Sequence, residues 1–124
     1  MLDHMSIQCA DVTTSSSFYD RALEPLGGTR VMDFGEVIGY GVEGRPTFWS
    51  GPLASGGENR EIHVAFEAPD RGTVRAFFEA AVAFGAEVLY EPRLWPEYHE
   101  HYYGAFVRDP DGNNVEAGCH LPGE

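Results

Sequence analysis

Basic residues are scarce in this chain of 124 residues. Lys and Arg together number 8 against 20 Asp and Glu, so the formal net charge at pH 7 is −12. A protein that binds DNA or RNA presents a basic surface to the phosphates, so this charge argues against a nucleic-acid partner. An acidic surface favours solubility, and it would also favour a cationic ligand.

Long hydrophobic runs are missing as well. No apolar stretch approaches the ~18 residues that a membrane span needs. The first five residues lack the basic region and the apolar stretch of a signal peptide, so we expect a cytoplasmic protein without a membrane partner. The length and the 43% hydrophobic content are typical of one globular domain, here residues 1–124.

Cysteine is rare too, with only Cys9 and Cys119. Both occupy apolar positions of predicted strands, and a cytosolic setting keeps thiols reduced. The sequence therefore predicts free, buried thiols that pack as small hydrophobic groups. Cys119 has no identifiable activating neighbour, so we do not expect it to act as a nucleophile.

The chain contains an internal repeat. A shift of 59 positions aligns five identical pairs without a gap: His4 with His63, Asp11 with Asp70, Thr14 with Thr73, Phe18 with Phe77, and Ala22 with Ala81. The last four pairs recur at steps of three and four, which is the spacing of one helix face. The first pair precedes them in a strand-like run. The repeat therefore predicts a duplicated unit that begins strand, turn, helix.

Three further strands follow each predicted helix. The expected fold class is α+β, with two βαβββ repeats at about 1–50 and 60–120. The intervening residues 51–59 are rich in Gly, Ser and Pro and are predicted to be a linker. In the second repeat, the run 109–112 (Asp-Pro-Asp-Gly) is a strong turn signal between the last two strands.

Three residues on the polar faces of predicted strands could bind a metal ion. Side chains alternate along a strand, and His4, His63 and Glu116 each lie on the face opposite the apolar residues. Two imidazoles and a carboxylate can occupy one face of an octahedral ion and leave positions open for water or substrate. Each residue taken alone is also explained by a polar sheet face that is turned to solvent.

Three segments resemble the vicinal oxygen chelate superfamily, which includes glyoxalases, fosfomycin-resistance thiol transferases, extradiol dioxygenases and bleomycin-resistance proteins. They are 2–7 (LDHMSI), 62–66 (IHVAF) and 106–116 (FVRDPDGNNVE). The resemblance implies a cupped mixed sheet with helices on its outer face. It also implies that His4, His63 and Glu116 bind a divalent ion, with Fe, Mn, Ni and Zn all open.

The resemblance implies a homodimer too, and some members complete their metal sites across the dimer interface. Whether the repeats pair within or between chains stays open at this point. Glyoxalases use a fourth protein ligand late in the first repeat, where this chain has no strong ligand in residues 46–50. Trp49 fits a substrate-binding pocket wall better, which favours a three-ligand site.

Other residues have weaker signals. The segment 94–103 is rich in aromatic, His and Glu residues and is expected to form a loop at the pocket rim. His101 there is a candidate general acid or base, because imidazole titrates near neutral pH. Tyr103 and Arg108 are candidates for orienting a substrate, although core packing for Tyr103 and a surface position for Arg108 explain them equally well.

The resulting hypothesis is a metal-dependent enzyme that acts on a small oxygen-bearing organic molecule. The resemblance leaves lyase or isomerase chemistry of the glyoxalase type and ring-cleaving oxygenation both open. The alternative is a non-catalytic protein of the drug-resistance type, which would sequester a small and, given the net charge of −12, cationic compound.

Overall fold

The computed structural model describes residues 1–123 and contains eight strands and two α-helices. In chain order these elements are β1 Met5–Cys9, α1 Val12–Leu23, β2 Thr29–Asp33, β3 Ile38–Val42, β4 Arg45–Pro52, β5 His63–Glu67, α2 Arg71–Phe84, β6 Val88–Leu94, β7 Tyr103–Arg108 and β8 Asn114–Cys119. A single 3₁₀ turn, Glu24–Leu26, follows α1. This order confirms the predicted α+β fold of two βαβββ repeats.

The two repeats build two mixed sheets with the same topology. The strand orders are β1-β4-β3-β2 and β5-β8-β7-β6, with one parallel pair in each sheet. In the parallel pairs Ser6 lies opposite Trp49, and Ala65 lies opposite Glu116. Because Ala65 follows Ser6 by the repeat length, Trp49 holds the place in the first sheet that Glu116 holds in the second.

Both helices begin at an aspartate N-cap, and a glycine with positive φ follows each helical segment. The carboxylates of Asp11 and Asp70 accept hydrogen bonds from backbone N–H groups three residues later, at 3.2 and 2.7 Å. These N-caps satisfy donors that the first helical turn leaves unpaired. The chain leaves the helical segments at Gly27 and Gly85, whose φ angles of 81° and 106° suit glycine.

One core joins the two repeats. Phe18 of α1 contacts Phe84 of α2 edge to face at 5.5 Å, and Phe48 of β4 contacts Phe66 of β5 at 5.2 Å. Cys9 and Cys119 are free and buried, which confirms the prediction for the thiols. Neither helix in residues 1–123 is long and apolar enough to cross a membrane.

Strand β6 is longer than the sequence predicts. The pattern indicates a strand near 87–90, whereas the structure continues it through Pro92 to Leu94. Proline is tolerated there because β6 is an edge strand and needs no donor on its outer side. The backbone N–H of Trp95 donates to the carbonyl of Tyr102 at 2.8 Å and closes the loop that leads to β7.

Candidate functional site

His63 and Glu116 form the centre of the candidate site. They belong to neighbouring parallel strands, β5 and β8, and Nε2 of His63 lies 2.7 Å from Oε1 of Glu116. Glu116 is only 3% exposed, whereas the side chain of His63 is half exposed. A buried carboxylate is costly unless it is hydrogen-bonded or bound to a cation. The site therefore holds an anionic group at its base and a solvent-facing imidazole beside it.

The second oxygen of Glu116 has a partner as well. The hydroxyl of Tyr102 donates a hydrogen bond to Oε2. Burial, reinforced by the neighbouring carboxylate, raises the pKa of Tyr102 above its usual range, so the hydroxyl keeps its proton and remains a donor. Sequence reasoning placed Tyr102 at the start of a predicted strand near 102–107 and in the aromatic segment 94–103, but did not single it out as a site residue; in the structure it lies just before β7.

His4 contacts a different acidic side chain. It precedes β1, its side chain is about half exposed, and its Nδ1 lies 2.8 Å from Oδ2 of Asp3. Within residues 1–123 of one chain, no group of three His, Cys, Asp or Glu side chains is placed to hold a metal ion. One chain thus brings together two of the three predicted ligands, His63 and Glu116.

The pair suits a divalent ion in its chemistry and spacing. Imidazole nitrogen and carboxylate oxygen are ligands for Fe, Mn, Ni and Zn. Two adjacent ligands, each ~2.1 Å from one octahedral ion, lie about 3 Å apart. The observed separation of 2.7 Å between His63 Nε2 and Glu116 Oε1 is close to that value. In the metal-free protein the same separation is that of a hydrogen bond.

Trp49 forms an aromatic surface on the first sheet. It is half-buried, and its ring stacks on Phe34 with a centroid distance of 6.3 Å and an interplanar angle of 2°. Its indole also covers Gly39, where a Cβ would lie 2.8 Å from the ring. The indole of Trp49 thus occupies the position in the first sheet that the buried carboxylate of Glu116 occupies in the second.

Two other predicted site residues, His101 and Arg108, have acidic side chains near them. His101 is partly exposed, and its Nε2 lies 3.9 Å from Oε1 of Glu100. Arg108 forms an ion pair with Glu61 at 3.0 Å and donates to the carbonyl of Gly112 at 2.7 Å, so it ties the ends of β7 and β8 together.

Tyr103 lies on the helix-facing side of the second sheet. The guanidinium groups of Arg71 and Arg75 lie over its ring at 5.3 and 5.9 Å. It packs against a buried cluster that includes Val74 and Ala105. The structure therefore does not bring Tyr103 to the His63–Glu116 pair.

Cationic side chains do not contact Glu116 in residues 1–123. The guanidinium of Arg93, on β6, lies 3.3 Å from the ring centre of Trp95 and pairs with Glu97 at 3.2 Å. The other contacts around the pair are aromatic, such as Phe106 at 5.9 Å from the His63 ring. The surroundings of the pair within residues 1–123 are therefore mainly aromatic.

Comparisons with known proteins agree with this architecture. Residues 1–117 match the model of the Glyoxalase/Bleomycin resistance protein/Dioxygenase superfamily. A glyoxalase/bleomycin resistance protein from Albidiferax ferrireducens T118 has a TM-score of 0.84 and 26% identity, over 94% of this chain and 97% of that one. No curated protein matches the sequence.

Two further solved structures share the fold at lower identity. A glyoxalase/bleomycin resistance protein/dioxygenase family enzyme from Burkholderia phytofirmans PsJN has a TM-score of 0.71 and 18% identity, over 97% and 98% of the two chains. Lactoylglutathione lyase from Agrobacterium tumefaciens has a TM-score of 0.69 and 20% identity, over 96% and 92%. By its family match and its two βαβββ repeats, the chain belongs to the glyoxalase/bleomycin resistance protein/dioxygenase superfamily.

Proposed function

We propose that this chain is a metal-dependent enzyme that acts on a small oxygen-bearing organic molecule. His63 and Glu116 hold a divalent ion, and His4 of a second copy in a homodimer supplies the third ligand. The observation that carries the proposal is the buried Glu116 carboxylate, which faces the exposed His63 imidazole at 2.7 Å.

The lack of a three-ligand group within residues 1–123 of one chain supports a site between chains. His4 is exposed at the start of β1, where a partner can reach it. A symmetric dimer presents the same surface twice, so each His4 can meet the His63–Glu116 pair of the other chain. This arrangement would yield two equivalent sites per dimer.

Each group has a distinct role in this proposal. When bound, a divalent ion supplies Lewis acidity and stabilises negative charge on substrate oxygens. Trp49 offers a flat apolar wall for a substrate. His101 remains a proposed acid or base at the rim, and Arg108 orients the turn beside β8 through Gly112. An open metal position can serve lyase, isomerase or dioxygenase chemistry, and the proposal includes all three.

Metal binding by the purified, chelator-treated protein tests the proposal. We expect titration calorimetry near neutral pH to detect binding of at least one of the ions Mn(II), Ni(II), Zn(II) and Fe(II), the last of these without oxygen. Near neutral pH the free imidazole is deprotonated and can bind a metal. His63→Ala should weaken binding by more than about 100-fold, because losing even an outer partner of a ligand typically costs about 10–100-fold. The fold should survive, since the side chain is half exposed.

A control separates this site from exposed histidines. Nε2 of His99 lies 2.9 Å from Nδ1 of His120, and such a surface pair can bind metal weakly. His99→Ala should therefore leave the tight site intact. If the wild type binds none of these ions at micromolar concentration, the enzyme proposal fails. The alternative is then a binder that sequesters small cationic compounds, in line with the net charge of −12.

A further inference from the structure

Tyr102 contributes to the candidate site from outside the strands. It ends the loop that joins β6 to β7, and its side chain is only 8% exposed. Its hydroxyl donates to Oε2 of Glu116, while Oε1 of the same carboxylate faces His63. The two oxygens of Glu116 therefore have different neighbours, one a tyrosine and the other an imidazole.

Two glycines make room for the tyrosine ring over the second sheet. A Cβ at Gly118 on β8 would overlap the Tyr102 hydroxyl. A Cβ at Gly104 on β7 would lie 3.2 Å from the Tyr102 ring and 3.3 Å from Oε2 of Glu116, which is tighter than ordinary contact. The absence of side chains at both positions lets the ring lie against the backbone and reach the carboxylate.

The loop that carries Tyr102 is anchored at both ends. The indole N–H of Trp95 donates to the carbonyl of Gly104 at 3.0 Å, and the Trp95 backbone N–H donates to the carbonyl of Tyr102 at 2.8 Å. Tyr98 contacts the Tyr102 ring edge to face at 5.6 Å. The position of the hydroxyl is thus determined by the folded sheet and loop.

We propose that Tyr102 is a positioning residue that fixes the Glu116 carboxylate, so that Oε1 stays directed at Nε2 of His63. A carboxylate only accepts hydrogen bonds, so this arrangement requires Nε2 of His63 to be the donor across the 2.7 Å contact in the metal-free protein. The consequence for metal affinity rests on the proposed function, because a bound ion takes the place of that proton. Without the Tyr102 hydroxyl the Glu116 carboxylate gains rotational freedom. It must then be ordered when it binds the metal ion, which lowers the metal affinity.

Tyr102→Phe removes the hydroxyl and keeps the ring, and two measurements follow its effect. In the metal-free protein at pH 7, the ¹⁵N chemical shifts of the His63 ring should show one tautomer, protonated at Nε2, in the wild type and tautomer averaging in the variant. Co(II) affinity should fall about 10–100-fold, the range for losing a partner of a metal ligand. Tyr98→Phe, which alters an exposed hydroxyl of the same loop, is the matched control.

Gly118→Ala supplies a second variant with the hydroxyl still present but displaced. It should reproduce both effects of Tyr102→Phe, with near-wild-type secondary structure by circular dichroism. If the single tautomer and the Co(II) affinity both persist in Tyr102→Phe, the role of Tyr102 is overturned. If the wild type itself binds neither Co(II) nor any of Mn(II), Ni(II), Zn(II) and Fe(II), the proposed function fails, and the ¹⁵N comparison still decides whether Tyr102 positions Glu116.

Discussion

At the scale of single residues, Asp109, the first residue of the predicted turn 109–112, has a structural role. Asp109, in the turn before β8, is 5% exposed. Its Oδ1 accepts from the backbone N–H groups of Asp111 and Asn113, both at 2.9 Å. Its Oδ2 accepts from the Asn113 amide at 2.9 Å and from the Tyr19 hydroxyl at 2.6 Å. One carboxylate thus closes the turn and attaches it to α1 of the first repeat.

Asp109→Asn should therefore destabilise the fold strongly. An amide replaces one accepting oxygen with a donor, which leaves buried donors unpaired. We expect the free energy of unfolding in urea to fall by about 2–4 kcal/mol. Tyr19→Phe removes one of the donors to Asp109 and should cost less, about 1 kcal/mol. Glu100→Gln, at an exposed carboxylate, is the control. Equal stability of Asp109→Asn and wild type would contradict this account.

The candidate site was predictable from the sequence only in part. Strand alternation places His63 and Glu116 on one sheet face, and the register of β5 with β8 brings them together. Tyr102 could not be predicted in this way, because its approach depends on the space above Gly104 and Gly118 and on a loop anchored by tertiary hydrogen bonds. Local patterns carry no signal for such space.

At the scale of elements, the helix caps make a pH-dependent contribution to the stability of the fold. The backbone N–H of Thr73, followed by its hydroxyl, lowers the pKa of Asp70 in the folded chain. A carboxyl group whose pKa is lower in the folded than in the unfolded chain stabilises the fold at pH values above its pKa in the unfolded chain, which is about 3.9 for Asp. That stabilisation is lost as the pH falls through the pKa that Asp70 has in the folded chain.

Asp70→Ala should accordingly be less stable than wild type at pH 7, and the gap should narrow as the pH falls below about 3.9. Asp70→Asn is the matched control, because asparagine also caps helices but does not titrate. Urea unfolding of the three proteins at pH 7 and at acid pH provides the comparison. A gap between wild type and Asp70→Ala that stays constant across this range would mean that the carboxylate charge does not contribute.

Most elements of the fold follow from such local signals. The helical spacing of the repeated residues and the three strand-like runs after each helix predict the βαβββ order that the structure shows. The length of β6 was not predictable, because Pro92 normally argues against a strand. Contacts of Tyr90 with Trp95 and Phe106, at 5.0 and 5.7 Å, support the extended strand, and these pairs form only in the folded chain.

At the scale of the whole molecule, the open question is whether the third ligand comes from a second chain. Residues 1–123 form two sheets that are not joined to each other by strand pairing. The turn between β2 and β3 carries the exposed hydrophobic residues Phe34 and Val37, and β6 of the second sheet carries Tyr90 and Leu94. Exposed apolar surface of this kind is typical of interfaces, so association of two copies would bury it.

Mixing two inactive variants distinguishes a site between chains from a site within one chain. His4→Ala and His63→Ala should each lose tight metal binding as homodimers. In a mixed dimer, the intact His4 of one chain meets the intact His63 and Glu116 of the other, so one of the two sites is restored. Random reassociation should therefore recover about a quarter of the wild-type sites, measured by Co(II) titration after the two variants are unfolded and refolded together. A mixture that recovers no sites, although sedimentation shows dimers, would rule out the shared site. The variants refolded separately and then combined without exchange serve as the baseline.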